Sequence, residues 1–192
     1  VTLRGKNAFT RTGYTLTGWN TKADGTGNAF GLDGKARVDD LEPSNDLYAV
    51  WTPNKDTLYQ VQFYYQTDDQ SGYKLDRTDE RKGTTDTNVS VTDDDKAAKE
   101  NGKYAFDENN ANNVLSGSIA ADGSLVRKLY IKLKQLDYTV NYYWNGTTVK
   151  VAESESGKET YNASVTRTPT KVEGCTPVSR DSQTLTTTKI GR

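Results

Sequence analysis

The side chains able to do chemistry here are carboxylates and a single thiol; the 192-residue chain contains no histidine. Acidic residues cluster at Asp39/Asp40, Asp68/Asp69, Asp79/Glu80 and Asp93 to Asp95. Glycoside hydrolysis needs two carboxyls held roughly 5 to 10 Å apart across a cleft, one with a raised pKa. Adjacency in sequence does not supply that arrangement. These clusters are therefore expected in solvated loops and at a helix end, with loop-bound calcium the alternative, although no ligand spacing is diagnostic. The missing histidine removes the usual general base and every His-dependent triad. One cysteine, Cys175, excludes an intrachain disulfide and a Cys/His zinc set. It has no histidine to activate it, so it is expected to be buried, with a reactive surface thiol as the alternative. Lys–Asn isopeptide crosslinks are compatible with the composition, but no motif identifies a pair.

The stretch "GYTLTGWNTKADGTGNAFG" (Gly13 to Gly31) resembles a ligand loop. Its Gly25-Thr26-Gly27-Asn28-Ala29-Phe30-Gly31 has one residue too many for GxGxxG, and no amphipathic helix follows to hold a pyrophosphate. As a calcium loop it fails at Lys22 and at Gly31, where oxygen ligands are needed. The expectation is a turn in which Asp24-Gly25 supplies positive φ. Tyr64, Tyr65, Tyr142, Tyr143 and Trp144 lie in strand-like runs whose alternation turns some of them outward. Tyr64, Tyr65, Tyr142 and Trp144 are the candidate ligand or interface residues, for sugar stacking or a protein partner. The competing reading has these rings covering a thin core. Asn88, Asn145 and Asn162 each open a glycosylation-type sequon.

Only 33% of the chain is hydrophobic and its mean hydropathy is -0.85. That is lean for one large core and favours several small modules. The net charge of -1 is spread evenly, which argues against nucleic-acid or acidic-lipid partners. No apolar run approaches the roughly 20 residues that span a membrane. No cofactor is expected.

Three segments separate: 1–56, 57–136 and 137–192. In the first, "VTLRGKNAF" reads as a strand or edge, "GYTLTGW" alternates, and "DLYAVWTP" sets Leu47, Ala49 and Trp51 against Tyr48 and Val50. In the second, Tyr59, Val61 and Phe63 share a face. "TNVSVT" is a short strand, and Leu125, Arg127, Leu129, Ile131 and Leu133 form one row of a last strand. "TDDDKAAKENG" predicts a helix of two or three turns, with Thr92 as N-cap and Gly102 at C′. In the third, Asn145-Gly146 predicts a two-residue hairpin, and "SQTLTTTKI" a late strand. Linkers are expected near Pro53 to Thr57 and Gln135 to Asp137, short enough for a semi-rigid array.

The last two segments repeat each other. "YQVQFYY" (Tyr59 to Tyr65) matches "YTVNYYW" (Tyr138 to Trp144), and "RKGTTDTNVSVT" matches "ESGKETYNASVT". "AFTRTGYTLTGWNTKADGTGNAF" with "DLYAVWTPN" resembles the Listeria–Bacteroides, or internalin B-type, repeat over about Ala8 to Asn54. The following segments resemble MucBP-like repeats of Gram-positive surface proteins, which open on YxVxYY and close on a strand like "AADGSLVRKLYIK". Cys175 stands where that repeat usually has Tyr. The resemblance implies a mainly β, α+β chain of tandem β-grasp (ubiquitin-like) modules in an elongated array. It implies an extracellular, cell-wall-attached, non-catalytic stalk segment, with binding of host mucin, glycan or protein through exposed aromatics as the alternative. The first module lacks the family's opening strand and the third its closing one. The chain is therefore expected to begin and end inside modules of a longer protein, with head-to-tail self-association through the uncovered edges.

Overall fold

The computed structural model describes residues 1–41, 43–99, 102–167 and 183–186. It is mainly β. The strands are β1 (Tyr14–Asn20), β2 (Ala29–Phe30), β3 (Tyr48–Pro53), β4 (Thr57–Gln66), β5 (Tyr73–Gly83), β6 (Asn88–Ser90), β7 (Tyr104–Phe106), β8 (Ser116–Ser118), β9 (Val126–Leu133), β10 (Gln135–Tyr143), β11 (Lys150–Thr160), β12 (Ser164–Arg167) and β13 (Gln183–Thr186). The one α-helical turn described is α1 (Asp93–Lys96), and Val38–Leu41 form a 3-10 turn. The sheets run β2-β1-β3, β5-β4-β9-β7, β6-β8, β10-β11 and β12-β13. The chain divides into two compact units: Val1–Phe63 with Leu75–Thr92 and Ala111–Leu129, and Tyr64–Lys74 with Asp93–Asn110 and Tyr130–Arg192.

In the first unit, Leu3, Leu16, Trp19, Ala36 and Leu41 form a core against which Leu47, Ala49 and Trp51 pack. Strict alternation would place Leu16 and Trp19 on opposite faces. A bulge between Leu16 and Gly18 resets the parity: Leu16 pairs with Trp51, but Gly18 with Val50 and Trp19 with Ala49. The extra residue, Thr17, turns outward and donates its hydroxyl to Val50 O. Gly18 is required there, because a Cβ would meet Phe30 O at 2.9 Å. The expected strand "VTLRGKNAF" is reduced to a single bridge between Thr2 and Lys35.

β4 behaves as its alternation predicts, with Tyr59, Val61 and Phe63 buried. The Arg77 guanidinium covers the Phe63 ring at 3.8 Å. In β9, Arg127 joins Leu129 in the inward row and is itself buried, its guanidinium 4.9 Å from the centre of the Tyr59 ring. That aromatic face offsets part of the cost of burying an arginine alongside aliphatic residues.

In the second unit, Ile131 and Leu133 continue the inward row of β9, and β7 pairs with it from Tyr104↔Leu133 to Phe106↔Ile131. The helix is one turn, not two or three. Ala97 N shares its bond between Asp93 O and Asp94 O, and Lys99 N donates to the Tyr65 hydroxyl at 3.0 Å. A tertiary acceptor takes the donor that would have extended the helix, and so short a helix has little intrinsic stability. The Asn145-Gly146 hairpin also differs. Trp144 N bonds to Val149 O around a four-residue loop, and Thr147 N bonds to Trp144 O with Gly146 at φ 73. That is a type II turn, with the glycine third, in place of a two-residue connection. Gln135 to Asp137, expected as a linker, pair with Thr160 to Lys158, which leaves Lys134 as the linking residue.

Candidate functional site

The glycine-rich loop is filled by its own side chain. Asn20, 4% exposed, ends β1 beneath the loop. Its Oδ1 accepts from Lys22 N (2.9 Å) and Gly27 N (3.1 Å), and its Nδ2 donates to Gly25 O (3.0 Å) and Gly27 O (3.3 Å). Gly25 has φ 78, and a Cβ on Gly27 would lie 2.3 Å from Thr21 Oγ1. The backbone groups that would face a phosphate or cation are bonded to Asn20 instead.

The carboxylate pairs are turn caps and ion pairs. Asp68 pairs with Lys103 at 2.9 Å and raises the lysine's pKa. Asp69 accepts from Thr67 and Ser71, which lower it to about 2. Asp79 binds Arg77 (3.2 Å) and Arg81 (3.4 Å). Asp24 and Asp122 are lowered by bonds from Thr26 and Ser124. Of the carboxylates with a lowered pKa, the most enclosed is Asp107. Its Oδ2 accepts from the Tyr73 hydroxyl (2.8 Å) and Asn110 Nδ2 (3.3 Å), and its Oδ1 from Lys132 Nζ (2.8 Å). Burial opposes its ionisation, but the bonds from Lys132, Tyr73 and Asn110 outweigh it and hold the pKa low. The Tyr73 phenol, partly buried and beside that carboxylate, is pushed up to about 12. Asp24, Asp69, Asp107 and Asp122 all move downward, opposite to the direction a general acid needs. Among the described residues, no three His, Cys, Asp or Glu converge as metal ligands. Cys175 lies outside the described residues.

The four candidate aromatics do not share one surface. Tyr65 is 7% exposed, edge-on to Tyr104 at 4.9 Å, with Lys99 Nζ 5.1 Å from its ring centre. Tyr64, on the opposite face of β4, stacks on Tyr130 at 4.8 Å, and Tyr73 meets Tyr130 edge-on at 5.1 Å. Tyr142 is half-buried, and burial and the Glu155 carboxylate raise its pKa. Trp144, 46% exposed, stands at the hairpin tip with Tyr143 (49%) and Val149 (60%).

The joint between β3 and β4 and the joint between β9 and β10 share one construction. At the first, Asn54 N donates backward to Gly13 O and Asn54 O accepts from Thr85 N, both at 2.9 Å. Thr85, 1% exposed, also donates its hydroxyl to Gly13 O and bonds Thr57 Oγ1, both at 2.7 Å. Tyr14 donates to Asp86 across the same joint. Gly13 has φ 77 and would drive a Cβ to 2.7 Å from Ala121 Cα. At the second joint, Lys134 N donates backward to Lys103 O (2.9 Å) and Lys134 O accepts from Tyr161 N (2.8 Å). Thr160, also buried, accepts from Gln135 Nε2 at 2.7 Å. Asn54 and Lys134 are thus each bonded both behind and ahead.

No family model, curated protein or solved structure matches the chain. No helix among the described residues is long and apolar enough to cross a membrane. Sequence reasoning missed Asn20, Thr85 and the Tyr73–Asp107–Lys132 cluster. Only Lys132 gave a signal, since alternation sets it in the outward row of β9.

Proposed function

We propose that this chain is a non-catalytic segment of a bacterial cell-surface protein, a run of small β-grasp modules that spaces or presents an adhesive domain borne elsewhere. The observation that carries this reading is the joint, built twice, whose linking residue is bonded on both sides. A joint so bonded limits the freedom of successive modules, which is what a spacer requires and a flexible tether lacks. Two further features support it. The Tyr-x-Val-x-(Phe/Tyr)-Tyr runs open two hairpins, β4–β5 and β10–β11, and each hairpin is followed by a turn whose third residue has positive φ, Asp86 or Asn162. The resemblance to the Listeria–Bacteroides and MucBP-like repeats points to the same surface setting, outside the cell.

A second reading, adhesion by this segment itself, is favoured by the exposed Tyr143, Trp144 and Val149. Immobilised chain tested against mucin and a panel of host-cell glycans separates the two. The spacer reading expects no measurable affinity and no turnover. Saturable binding that Trp144→Ala abolishes would replace it with the adhesive one.

A further inference from the structure

We propose that Asn145-Gly146 is a site of spontaneous deamidation, a modification that places a negative charge on the aromatic tip of the β10–β11 hairpin. The reaction needs an asparagine amide free to turn, a following residue without a side chain, and open solvent. All three meet here. Asn145 and Gly146 are exposed, and a Cβ on Gly146 would meet nothing within 4 Å. The turn is held by Trp144 N to Val149 O and Thr147 N to Trp144 O, both 3.0 Å. Those bonds engage neither the Asn145 side chain nor the Gly146 N–H. Asn20 shows the opposite case: it is buried, bonded through both side-chain atoms, and followed by the branched Thr21.

In the step itself, the Gly146 nitrogen loses its proton and attacks Asn145 Cγ. A C–N bond closes a five-membered succinimide as the Cγ–Nδ2 bond breaks, and the departing nitrogen takes up a proton and leaves as ammonia. Water then adds to either ring carbonyl and opens it to aspartate or isoaspartate. Overall, one water is consumed, one ammonia is released and nothing is oxidised. Residues 138–152 carry one charged side chain, Lys150, and no Asp, Glu or Arg. The product carboxylate therefore takes that stretch from +1 to zero and adds charge beside Trp144. The hairpin tip is thus converted with time and not by an enzyme.

The test incubates the purified chain at neutral and mildly alkaline pH, then maps its tryptic peptides, Gln135 to Lys150 among them, by mass spectrometry with fragmentation that distinguishes isoaspartate. The expected result is a gain of about 1 Da at position 145. It should rise with pH, exceed that at any other described asparagine, and run at a rate comparable to the free peptide. Asn145→Gln, at an exposed position, should keep the fold and lose the gain. An intact Asn145 in the folded chain under conditions where the free peptide converts would overturn the proposal. So would prior conversion of another described asparagine.

Discussion

β4 and β10 carry matching sequences and meet different fates. In β4 the inward row Tyr59, Val61, Phe63 and Tyr65 is buried throughout. In β10 the matched row Tyr138, Val140 and Tyr142 is only half-buried, and Trp144, in the place of Tyr65, is 46% exposed. The difference lies in what stands beside each strand. β4 is paired on both sides, by β5 and β9, whereas among the described residues β10 pairs only with β11. A pattern of period two says which side chains share a face; the neighbouring strands decide whether that face is a core or a surface.

The sharpest test of this contrast is truncation at matched positions. Phe63→Ala should cost about 3–5 kcal/mol and Tyr142→Ala about 1 kcal/mol in urea denaturation; equal losses would erase the distinction. The two loops extend it. Asn20→Ala strands buried backbone groups of Lys22, Gly25 and Gly27 and should cost roughly 2–4 kcal/mol. Asn145→Ala should stay within about 0.5 kcal/mol.

A pH titration reads the cluster of Tyr73 in β5 with Asp107. The Tyr73 pKa is raised, so its contribution is complete below the ordinary phenol value of about 10 and is lost as pH rises through about 12. Tyr73→Phe should flatten that alkaline loss. Asp107 is depressed, so its contribution is present above the ordinary carboxylate range and lost as pH falls; Asp107→Asn should flatten the acid limb. The smallest stability effect belongs to Trp144→Ala, within about 0.5 kcal/mol by thermal unfolding. Any larger consequence of that substitution should appear in binding.

Much of this architecture was legible. The rows of β3, β4 and β9 follow alternation, and Gly25 and Gly146 adopt the positive φ their turns demand. Thr17 was not legible as a bulge, because one extra residue reverses every later face without changing composition. The short α1 could not be foreseen, since the Tyr65 hydroxyl that receives Lys99 N comes from a strand more than thirty residues away. Among the candidate aromatics, alternation separated Tyr64 from Tyr65 but could not say which faced a core. The joints were invisible because backbone bonds at Asn54 and Lys134 leave no residue-type signature.

Those joints carry the account, and hydrogen exchange on Thr85→Val tests them most directly. The substitution preserves shape and removes the hydroxyl that binds Gly13 O. The slowest-exchanging amides of β1 and β3 and those of Val61 and Leu129 should lose protection together, by the same roughly 1–3 kcal/mol. Loss confined to Val61 and Leu129, with β1 and β3 unchanged, would show that the segments fold independently and would contradict a locked joint.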